Sequence, residues 1–398
     1  MARTARRDVG AGAVYQRADG RWIAALELPE DMTTGKRRRK VMSSKTKAGV
    51  LAKLNAAKTD LDKAGDLPTS SPTVAQWLTR WQREHVDGRL KPRTAEGYRG
   101  VIDRYLLPHL GKKRLDRLTQ RDVFAMEEAM IARGLSSTTA LQAHRVLAKA
   151  LTDAERQGLV SRNVAKLMDA PSKAVSTRGA LTADDAKKLL RSVADDPVLF
   201  PAFMLALHAG LRRGEILGLH WQDVDLNAGT LTVQWQLQSL SWLHGCGGTC
   251  GRKRGGNCPE RKAPAPQGHE IVAVSDGLWL VRPKSRRGWR VVPMTPALIE
   301  TLRRIRPDGA RGLIFDMNPD DLTRAWPAAL AAAGLPPAPL HSARHTASSV
   351  LAANGMDAQQ RMAILGHASV ATTEGYTHWQ IEQLRPGMDA LGDALALD

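Results

Sequence analysis

Residues that can bind and attack a phosphate lie close together near the C-terminal end of the sequence. His341 and Arg344 belong to a His-Ser-Ala-Arg-His segment, His367 ends a Leu-Gly-His segment, and Tyr376 follows shortly after. Upstream, Arg212 belongs to a Gly-Leu-Arg-Arg-Gly-Glu segment that we predict to be helical. A tyrosine hydroxyl is a usable covalent nucleophile when cations surround the phosphate that it attacks. The set therefore predicts an enzyme that breaks a nucleic-acid strand and stays attached to it.

Each of these side chains has a physical reason to act on a phosphate. Arg212 and Arg344 carry planar guanidinium groups that can bind two oxygens of one phosphate and stabilise the charge that builds there. Glu215 lies three residues after Arg212, so we expect it to orient that guanidinium. A phenol has a pKa of about 10, so Tyr376 needs nearby positive charge to favour its phenolate. The alternative role for either arginine is a surface salt bridge, for which the adjacent Arg213 is the better candidate.

The charge balance of the whole chain agrees with a nucleic-acid partner. Its 398 residues include 58 Lys or Arg and 40 Asp or Glu, which gives a net charge of +18. A surplus of this size favours a polyanion, with nucleic acid as the default candidate, whereas the alternative is a merely soluble basic protein. The sequence has no run of about 18 apolar residues and no secretory signal, so we expect a cytoplasmic protein without a membrane partner.

Residues 1–66 predict a small domain made of a three-stranded β-sheet and a helix. Strand-like segments flank Asp19-Gly20, which suits a tight hairpin turn, and Ser44 is expected to cap the helix. The third strand carries five consecutive basic residues, Lys36, Arg37, Arg38, Arg39 and Lys40. Such a sheet can lie in a DNA groove. The alternative is a solvated edge strand that its lysines and arginines protect from pairing.

Residues 72–172 predict a compact domain of four helices. The first helix has one apolar face at positions i, i+3, i+4 and i+7, namely Val74, Trp77, Leu78 and Trp81. Thr119 begins a capping box that opens the third helix. Lys91 and Arg93 belong to the basic residues at helix ends and loops, where they can face phosphates, although ordinary solvated loops explain them almost as well.

Residues 178–398 predict a third domain, which is mainly helical and contains a small β-sheet. Thr182 and Asp185 have the spacing of a further capping box, and strand-like segments interrupt the helical pattern between residues 229 and 293. The predicted fold class is therefore multidomain and mainly α.

The three cysteines lie in one short segment between two of the predicted strands. Cys246, Cys250 and Cys258 follow closely after His244. Three cysteines and a histidine are the ligand set of a structural zinc site, although this spacing fits no standard zinc finger. The alternative is a flexible basic loop whose thiols bind no metal.

Residues 178–380 resemble the catalytic domain of the tyrosine recombinases, the phage-integrase family. The resemblance rests on four motifs in the family's order, which lie at 209–219, 283–293, 341–345 and 365–376. It is weaker before residue 178, where the chain is similar to integrases with two DNA-binding domains. It implies that residues 1–66 are an arm-type DNA-binding domain, residues 72–172 a core-binding domain and residues 178–398 the catalytic domain. Ala343 departs from the family, which usually has leucine before the arginine.

The resemblance also implies how the covalent step proceeds. Tyr376 attacks the phosphorus and forms a 3′-phosphotyrosine. Lys284 protonates the departing 5′-oxygen as the general acid. Arg286 or Arg287 is the rival for that role, with Lys284 then a plain phosphate contact.

The histidines have supporting roles in the same scheme. His341 and His367 donate hydrogen bonds to the scissile phosphate. His345 supports the residues that bind the phosphate and does not bind it directly. No cluster of acidic residues that suits magnesium lies beside the arginines, and no glycine-rich loop suggests ATP. We therefore expect a reversible reaction that needs no cofactor.

The implied function is site-specific recombination that integrates or excises a phage or mobile element in a bacterial host. Four protomers would hold two attachment sites in double-stranded DNA and exchange strands through a Holliday junction, at the nucleoid. An excisionase-type directionality factor and a host DNA-bending protein are the further partners expected. The tail that ends at Leu397 is expected to dock on a neighbouring protomer. The alternatives are a type IB topoisomerase and a DNA-binding regulator that does not cleave.

Overall fold

The computed structural model describes residues 9–30, 35–65, 71–174, 181–247, 249–265, 268–283, 289–366 and 381–397. The chain divides into two compact units, Met1–Ala174 and Val175–Asp398. None of the helices in these described ranges is both long and apolar enough to cross a membrane.

The first unit begins with the predicted three-stranded sheet and helix. The elements are β1 (Gly12–Gln16), β2 (Trp22–Leu28), β3 (Arg38–Ser44) and α1 (Lys47–Ala64). The sheet is antiparallel with β2 in the centre, so β3 is an edge strand in this sheet. Ala24, Leu26 and Leu28 of β2 are buried in one cluster with Val50 and Leu54 of α1. One face of the sheet therefore packs on the helix and forms a small core.

The helix α1 begins two residues later than the sequence indicated. Ser44, the predicted cap, still pairs with Trp22 at the end of β3. Thr46 is the N-cap instead, with an extended backbone and a side-chain oxygen that accepts from the Gly49 backbone N–H at 3.1 Å. The prediction was wrong because the strand pairing of Ser44 reaches further along the chain than its local sequence shows.

The described remainder of the first unit is built mainly of four helical segments, as predicted, with short 3-10 helices at Leu115–Arg117 and Val164–Leu167. The first segment is α2 (Val74–Trp81) with a π-helical extension (Gln82–Val86), the second is α3 (Pro92–Val101) continued through a π-helical segment (Ile102–Leu106) into α4 (Leu107–Leu110), and the others are α5 (Gln120–Ala132) and α6 (Ser137–Arg156). The predicted apolar face of α2 is buried. Trp77 donates through Nε1 to the Ala150 carbonyl at 3.1 Å, and Trp81 donates to Asp153 Oδ2 at 2.8 Å. These bonds join the first segment to the last. The capping box at Thr119 is present.

The second unit is mainly helical. Its helices are α7 (Ala183–Arg191), α8 (Leu199–His208), α9 (Arg213–Leu217), α10 (Pro296–Ile305), α11 (Pro319–Ala332), α12 (His341–Ala353), α13 (Ala358–Leu365) and α14 (Ile381–Ala394). The predicted capping box of Thr182 and Asp185 opens α7. A single large hydrophobic core holds these helices together, with the almost entirely buried α8 at its centre.

The predicted small sheet is divided into several parts. The strands are β4 (Val224–Asp225), β5 (Thr230–Val233), β6 (Gln236–Ser239), β7 (Leu243–His244), β8 (Arg261–Lys262), β9 (Ile271–Ser275), β10 (Leu278–Val281) and β11 (Arg290–Pro293). Within the described residues they form two three-stranded sheets, in the orders β6-β10-β9 and β11-β5-β4, and the β7-β8 pair. The strands β10 and β11, which flank the segment with Lys284, therefore belong to different sheets.

Helix α12 is held rigidly by the core of the second unit. Its residues Ala343, Ala347 and Leu351 are buried in the hydrophobic cluster. The hydroxyl of Thr346 accepts from the Leu181 backbone N–H at 2.9 Å and donates to the Leu181 carbonyl at 3.2 Å. The alanine that departs from the family pattern is thus a buried packing residue at the start of the helix that carries the site.

The C-terminal helix packs on its own unit. Leu384, Met388, Leu391 and Leu395 are all buried in the same hydrophobic cluster as α8. Docking of this tail on a neighbouring protomer stays a prediction. The apolar residues of the tail are already used within the chain.

A buried histidine gives the second unit a predicted pH dependence. His208 ends α8 with its Nδ1 2.9 Å from Thr295 Oγ1, and burial lowers its pKa to about 4. Between pH 6.5 and about 4 the unfolded chain binds a proton at this position that the folded chain does not, so the free energy of unfolding falls as the pH falls. At about pH 5 this proton uptake lowers the free energy of unfolding by roughly 2 kcal/mol relative to neutral pH. Urea unfolding near pH 7 and near pH 5 should show a smaller loss for His208→Gln than for the wild type. Equal losses would show that His208 does not titrate in this way.

Candidate active site

The site is built around the turn that links α8 to α9. Gly210 lies in this turn with a φ of 59°, in the left-handed region, and a Cβ there would collide with the Leu365 side chain. Only glycine meets both conditions without strain. The Gly210 carbonyl accepts a hydrogen bond from Arg344 Nη1 at 2.8 Å. The turn thus fixes a guanidinium that comes from α12.

The sequence suggested that Arg212 lies within a helix. In the structure it precedes α9 as the N-cap residue of that helix. Its backbone N–H donates to Glu215 Oε2 at 3.0 Å, and its Nη1 donates to Glu215 Oε1 at 2.7 Å. Its Nη2 donates to the Gly366 carbonyl at 3.0 Å. The predicted contact between Arg212 and Glu215 is therefore present. The side chain of Arg212 remains 35% exposed, so it can also reach a ligand.

Arg290 is a residue of this cluster that the sequence analysis did not single out. It begins β11, and its Nη2 and Nη1 lie 2.9 and 3.3 Å from the two oxygens of Glu215. Its Nε donates to the Ile364 carbonyl at 2.6 Å. The strand pattern could have indicated its burial. Side chains alternate between the two faces of a strand, so Arg290 shares the buried face with Val292, whereas Val291 is exposed.

Glu215 is fully buried between two arginines and stays ionised. Burial by itself raises the pKa of a carboxyl, but the charges and hydrogen bonds of Arg290 and Arg212 outweigh that effect and lower the pKa of Glu215 to about 2. Its carboxylate accepts four hydrogen bonds, two from each arginine. One negative charge therefore orients two guanidinium groups.

Arg344 lies almost completely within the protein, with 1% of its surface exposed. Burial lowers the pKa of its guanidinium to about 9, and the positive charges of Arg212 and Arg290 contribute to the shift. It remains protonated at neutral pH. Three arginines against one glutamate leave two excess positive charges, so an anion bound here would relieve their mutual repulsion.

His341 and His345 lie on the first turns of α12 on either side of Arg344. Their rings are 4.9 Å apart and nearly perpendicular. Partial burial lowers the pKa of His341, and the charges of His345, Arg344 and Arg212 lower it further. At neutral pH His341 is therefore an uncharged ring that can donate one hydrogen bond. His345 contacts this ring directly, and its supporting role stays a prediction.

Two family profiles match parts of this chain. One is described as "Phage integrase family" and matches residues 269–383, and the other is described as "Phage integrase, N-terminal SAM-like domain" and matches residues 73–125. Among curated proteins, an integrase of Saccharopolyspora erythraea is 26% identical and a XerC-like tyrosine recombinase of Caldanaerobacter subterraneus is 22% identical. These alignments cover 93% and 90% of this chain, and 93% of each relative.

The chain belongs to the phage integrase family of tyrosine recombinases. As a tyrosine recombinase it is an enzyme of site-specific DNA recombination, which cleaves and rejoins strands. These relatives give no support to a type IB topoisomerase or to a regulator that does not cleave.

The fold is also that of solved integrases. A structure of a lambda integrase dimer bound to a COC′ core site covers 98% of this recombinase and matches it over 97% of its own length, with a TM-score of 0.54 and 18% identity. A lambda integrase tetramer bound to a Holliday junction gives a TM-score of 0.53, again at 18% identity, and the match covers 91% of this chain and 97% of that one. Both likenesses concern the fold alone.

Several predicted site residues of the recombinase lie outside the described residues. They are Lys284, with its rivals Arg286 and Arg287, and also His367 and Tyr376. Their roles stay predictions. His367 directly follows Gly366, whose carbonyl accepts from Arg212, so the described end of this motif already lies at the arginine cluster.

The predicted DNA-binding residues of the recombinase belong to separate elements. Arg38, Arg39 and Lys40 lie on the edge strand β3, and Lys36 and Arg37 precede it. Lys91 is the N-cap residue of α3, and Arg93 lies 3.5 Å from Glu96 on an exposed part of the same helix.

Proposed function

We propose that this recombinase integrates and excises the DNA of a phage or other mobile element by transient covalent attachment to Tyr376. The observation that carries the proposal is the arrangement of Arg212, Arg290 and Arg344 around the single buried carboxylate of Glu215. Two of these guanidinium groups come from the motifs that resemble the family's catalytic arginines. An excess of buried positive charge is what a phosphodiester needs in its transition state.

The arginines have different tasks in this scheme. Arg212 and Arg344 bind the non-bridging oxygens of the scissile phosphate. Arg290 acts through Glu215, which it shares with Arg212, and so fixes the direction of the Arg212 guanidinium. His341 donates a hydrogen bond to the same phosphate, and His345 holds the His341 ring. Because these groups are already fixed by the fold, little reorganisation is needed when charge develops.

The covalent step exchanges one phosphate ester for another. Tyr376 Oη forms a bond to phosphorus as the bond to the 5′-oxygen breaks, and the phenol proton is lost to solvent. Lys284 supplies a proton to the 5′-oxygen, with Arg286 or Arg287 as the rival donor, and His367 stabilises the phosphate. Attack by a 5′-hydroxyl of the partner strand reverses the step and releases Tyr376. The phosphotyrosine conserves the ester bond, so no cofactor is required for rejoining.

The two upstream domains supply the DNA contacts. We assign residues 1–66 to arm-site binding, residues 72–172 to the core site and residues 178–398 to catalysis. The face of the N-terminal sheet opposite α1 carries Tyr15 and Val41, which are 49% and 52% exposed, and Arg39 beside them. An open sheet face with basic residues at its edge suits a DNA groove.

The assembly that we propose is a tetramer on two attachment sites. A solved lambda integrase forms a tetramer on a Holliday junction, and this chain has the same fold. An excisionase-type directionality factor and a host DNA-bending protein would select between integration and excision. Because the substrate is bacterial and element DNA, the protein would act in the cytoplasm at the nucleoid.

The test uses a nicked suicide substrate that carries the element's attachment site. Wild type and the control variant Tyr105→Phe, whose tyrosine lies in the helical domain, should form a covalent protein–DNA adduct in denaturing gels. Tyr376→Phe should form none, because it lacks the nucleophilic oxygen. Rejoining of the trapped strand to a second duplex then distinguishes recombination from topoisomerase-like relaxation. An adduct with Tyr376→Phe, or none with the wild type on its verified site, contradicts the proposal.

A further inference from the structure

The insertion between β6 and β9 brings together the four residues that the sequence marked as metal ligands. The strands β7 and β8 pair within it, with His244 opposite Arg261. Cys246 and Cys250 follow β7, and Cys258 precedes β8 and is buried. The ligand atoms of His244, Cys246, Cys250 and Cys258 all lie within 4.8 Å of one another. Residues that are spread along the chain thus converge on one point.

Three of the distances within the cluster are close to those between neighbouring ligands of a tetrahedral metal site. His244 Nδ1 lies 3.4 Å from Cys250 Sγ and 3.9 Å from Cys246 Sγ, and the Sγ atoms of Cys246 and Cys258 are 3.5 Å apart. Around a tetrahedral Zn²⁺, ordinary Zn–S and Zn–N bond lengths give about 3.8 Å between two sulfurs and about 3.6 Å between sulfur and nitrogen. A disulfide requires about 2.05 Å, so the sulfurs are spaced as neighbouring ligands.

We propose that His244, Cys246, Cys250 and Cys258 bind one structural Zn²⁺. Thiolates and imidazole together select zinc over magnesium or calcium, which prefer oxygen ligands. Four protein ligands fill the tetrahedral shell, so the site has no open position for a substrate and serves structure only. The three thiolates and the metal carry a net charge of −1. The neighbouring Arg252, Lys253, Arg254, Arg261 and Lys262 can balance it.

The backbone around the cluster is compact enough to fix the ligands. A Cβ at Gly245 would collide with the Glu260 carbonyl, and one at Gly255 would collide with the Trp242 carbonyl. The Cys246 carbonyl accepts from the Thr249 backbone N–H at 3.3 Å, and the Cys258 carbonyl accepts from that of Arg261 at 3.1 Å. Each of these two cysteines therefore begins a tight turn. Such turns direct thiolates towards a common centre.

The metal explains how so small an insertion keeps its structure. Its main apolar contact is Trp242, whose ring packs edge-on against Trp279 of β10 at 4.7 Å and lies under the Arg261 guanidinium at 4.4 Å. Among the described residues, the local hydrophobic cluster has Leu240, Trp279 and Val281 as its buried members. A core this small does not by itself offset the entropy of ordering the segment, whereas zinc binding supplies folding free energy directly. The proposal does not depend on the proposed function.

The first test is the metal content of full-length protein purified without added metal. Elemental analysis should find about one zinc per chain in the wild type and in the control His269→Ala, whose histidine lies in the same insertion outside the cluster. Cys250→Ser, at a partly exposed ligand, should lose most of the zinc. Zinc well below half an equivalent in the wild type, or equal zinc in Cys250→Ser and the wild type, overturns the proposal.

A second measurement keeps the test decisive if the serine variant does not fold. Wild-type protein in which Co²⁺ replaces the metal should show the visible absorption of a tetrahedral thiolate complex. Removal of zinc by a chelator should lower the melting temperature, measured by tryptophan fluorescence, to which Trp242 contributes. A disulfide between two of the cysteines, or no cobalt spectrum, overturns the site.

Discussion

Replacing Glu215 by glutamine should lower the free energy of unfolding by about 3 kcal/mol and strand cleavage by at least about 100-fold. The carboxylate accepts four hydrogen bonds, two each from Arg212 and Arg290. A glutamine of the same shape has one acceptor oxygen, and its amide group directs its own N–H donors at a guanidinium. Arg212 and Arg290 would then lie close to Arg344 without the negative charge of the Glu215 carboxylate. Repulsion among them both destabilises the fold and displaces Arg212.

Urea unfolding and single-turnover cleavage of the suicide substrate measure the two effects. The control is Glu300→Gln, because Glu300 pairs with Arg303 and Arg304 on an exposed helix surface and should tolerate the change. The wild-type stability should also fall as the pH drops from about 4.5 towards 2. In that range the unfolded chain protonates Glu215 and the folded chain does not. If Glu215→Gln unfolds like the wild type, the carboxylate does not hold the arginines together.

The Arg344→Lys variant should lose about 100- to 1,000-fold in the rate of covalent cleavage, with a much smaller loss of DNA binding. Lysine keeps the positive charge but not the planar fork, so it cannot bind the Gly210 carbonyl and two phosphate oxygens together. The same burial and neighbouring charges that lower the pKa of Arg344 would lower that of a lysine, which starts from a lower value. Part of the charge would therefore be lost as well.

The matched control for this prediction is Arg213→Lys. Arg213 is the next residue after Arg212, but its Nη1 lies 3.6 Å from Asp320 at the surface and donates to the Pro319 carbonyl. Cleavage rates at saturating protein separate the chemical step from binding, which a DNA titration measures independently. Cleavage by Arg344→Lys within about tenfold of the wild type would exclude a bidentate role for Arg344.

The sequence by itself predicted the helical elements. It also singled out most of the arginine and histidine residues that the structure describes at the candidate site. The apolar face of α2 and the capping boxes at Thr119 and Thr182 depend on residues three or four positions apart, so their signals are local. The pairing of Arg212 with Glu215 has the same short range. The roles of Lys284, His367 and Tyr376 rest on motif order alone and stay predictions.

The tertiary structure decided the contacts between distant parts of the chain. Arg290 reaches Glu215 across 75 residues and Arg344 reaches Gly210 across 134, and neither spacing has a sequence signature. The C-terminal helix is likewise buried in its own unit, which no local pattern indicates. The sequence did group His244 with the three cysteines, but only the pairing of β7 with β8 brings their side-chain nitrogen and sulfur atoms within 4.8 Å of one another. Local patterns specify which face of an element is apolar. Packing of the elements specifies which charged groups meet, because it alone determines which of them are buried side by side.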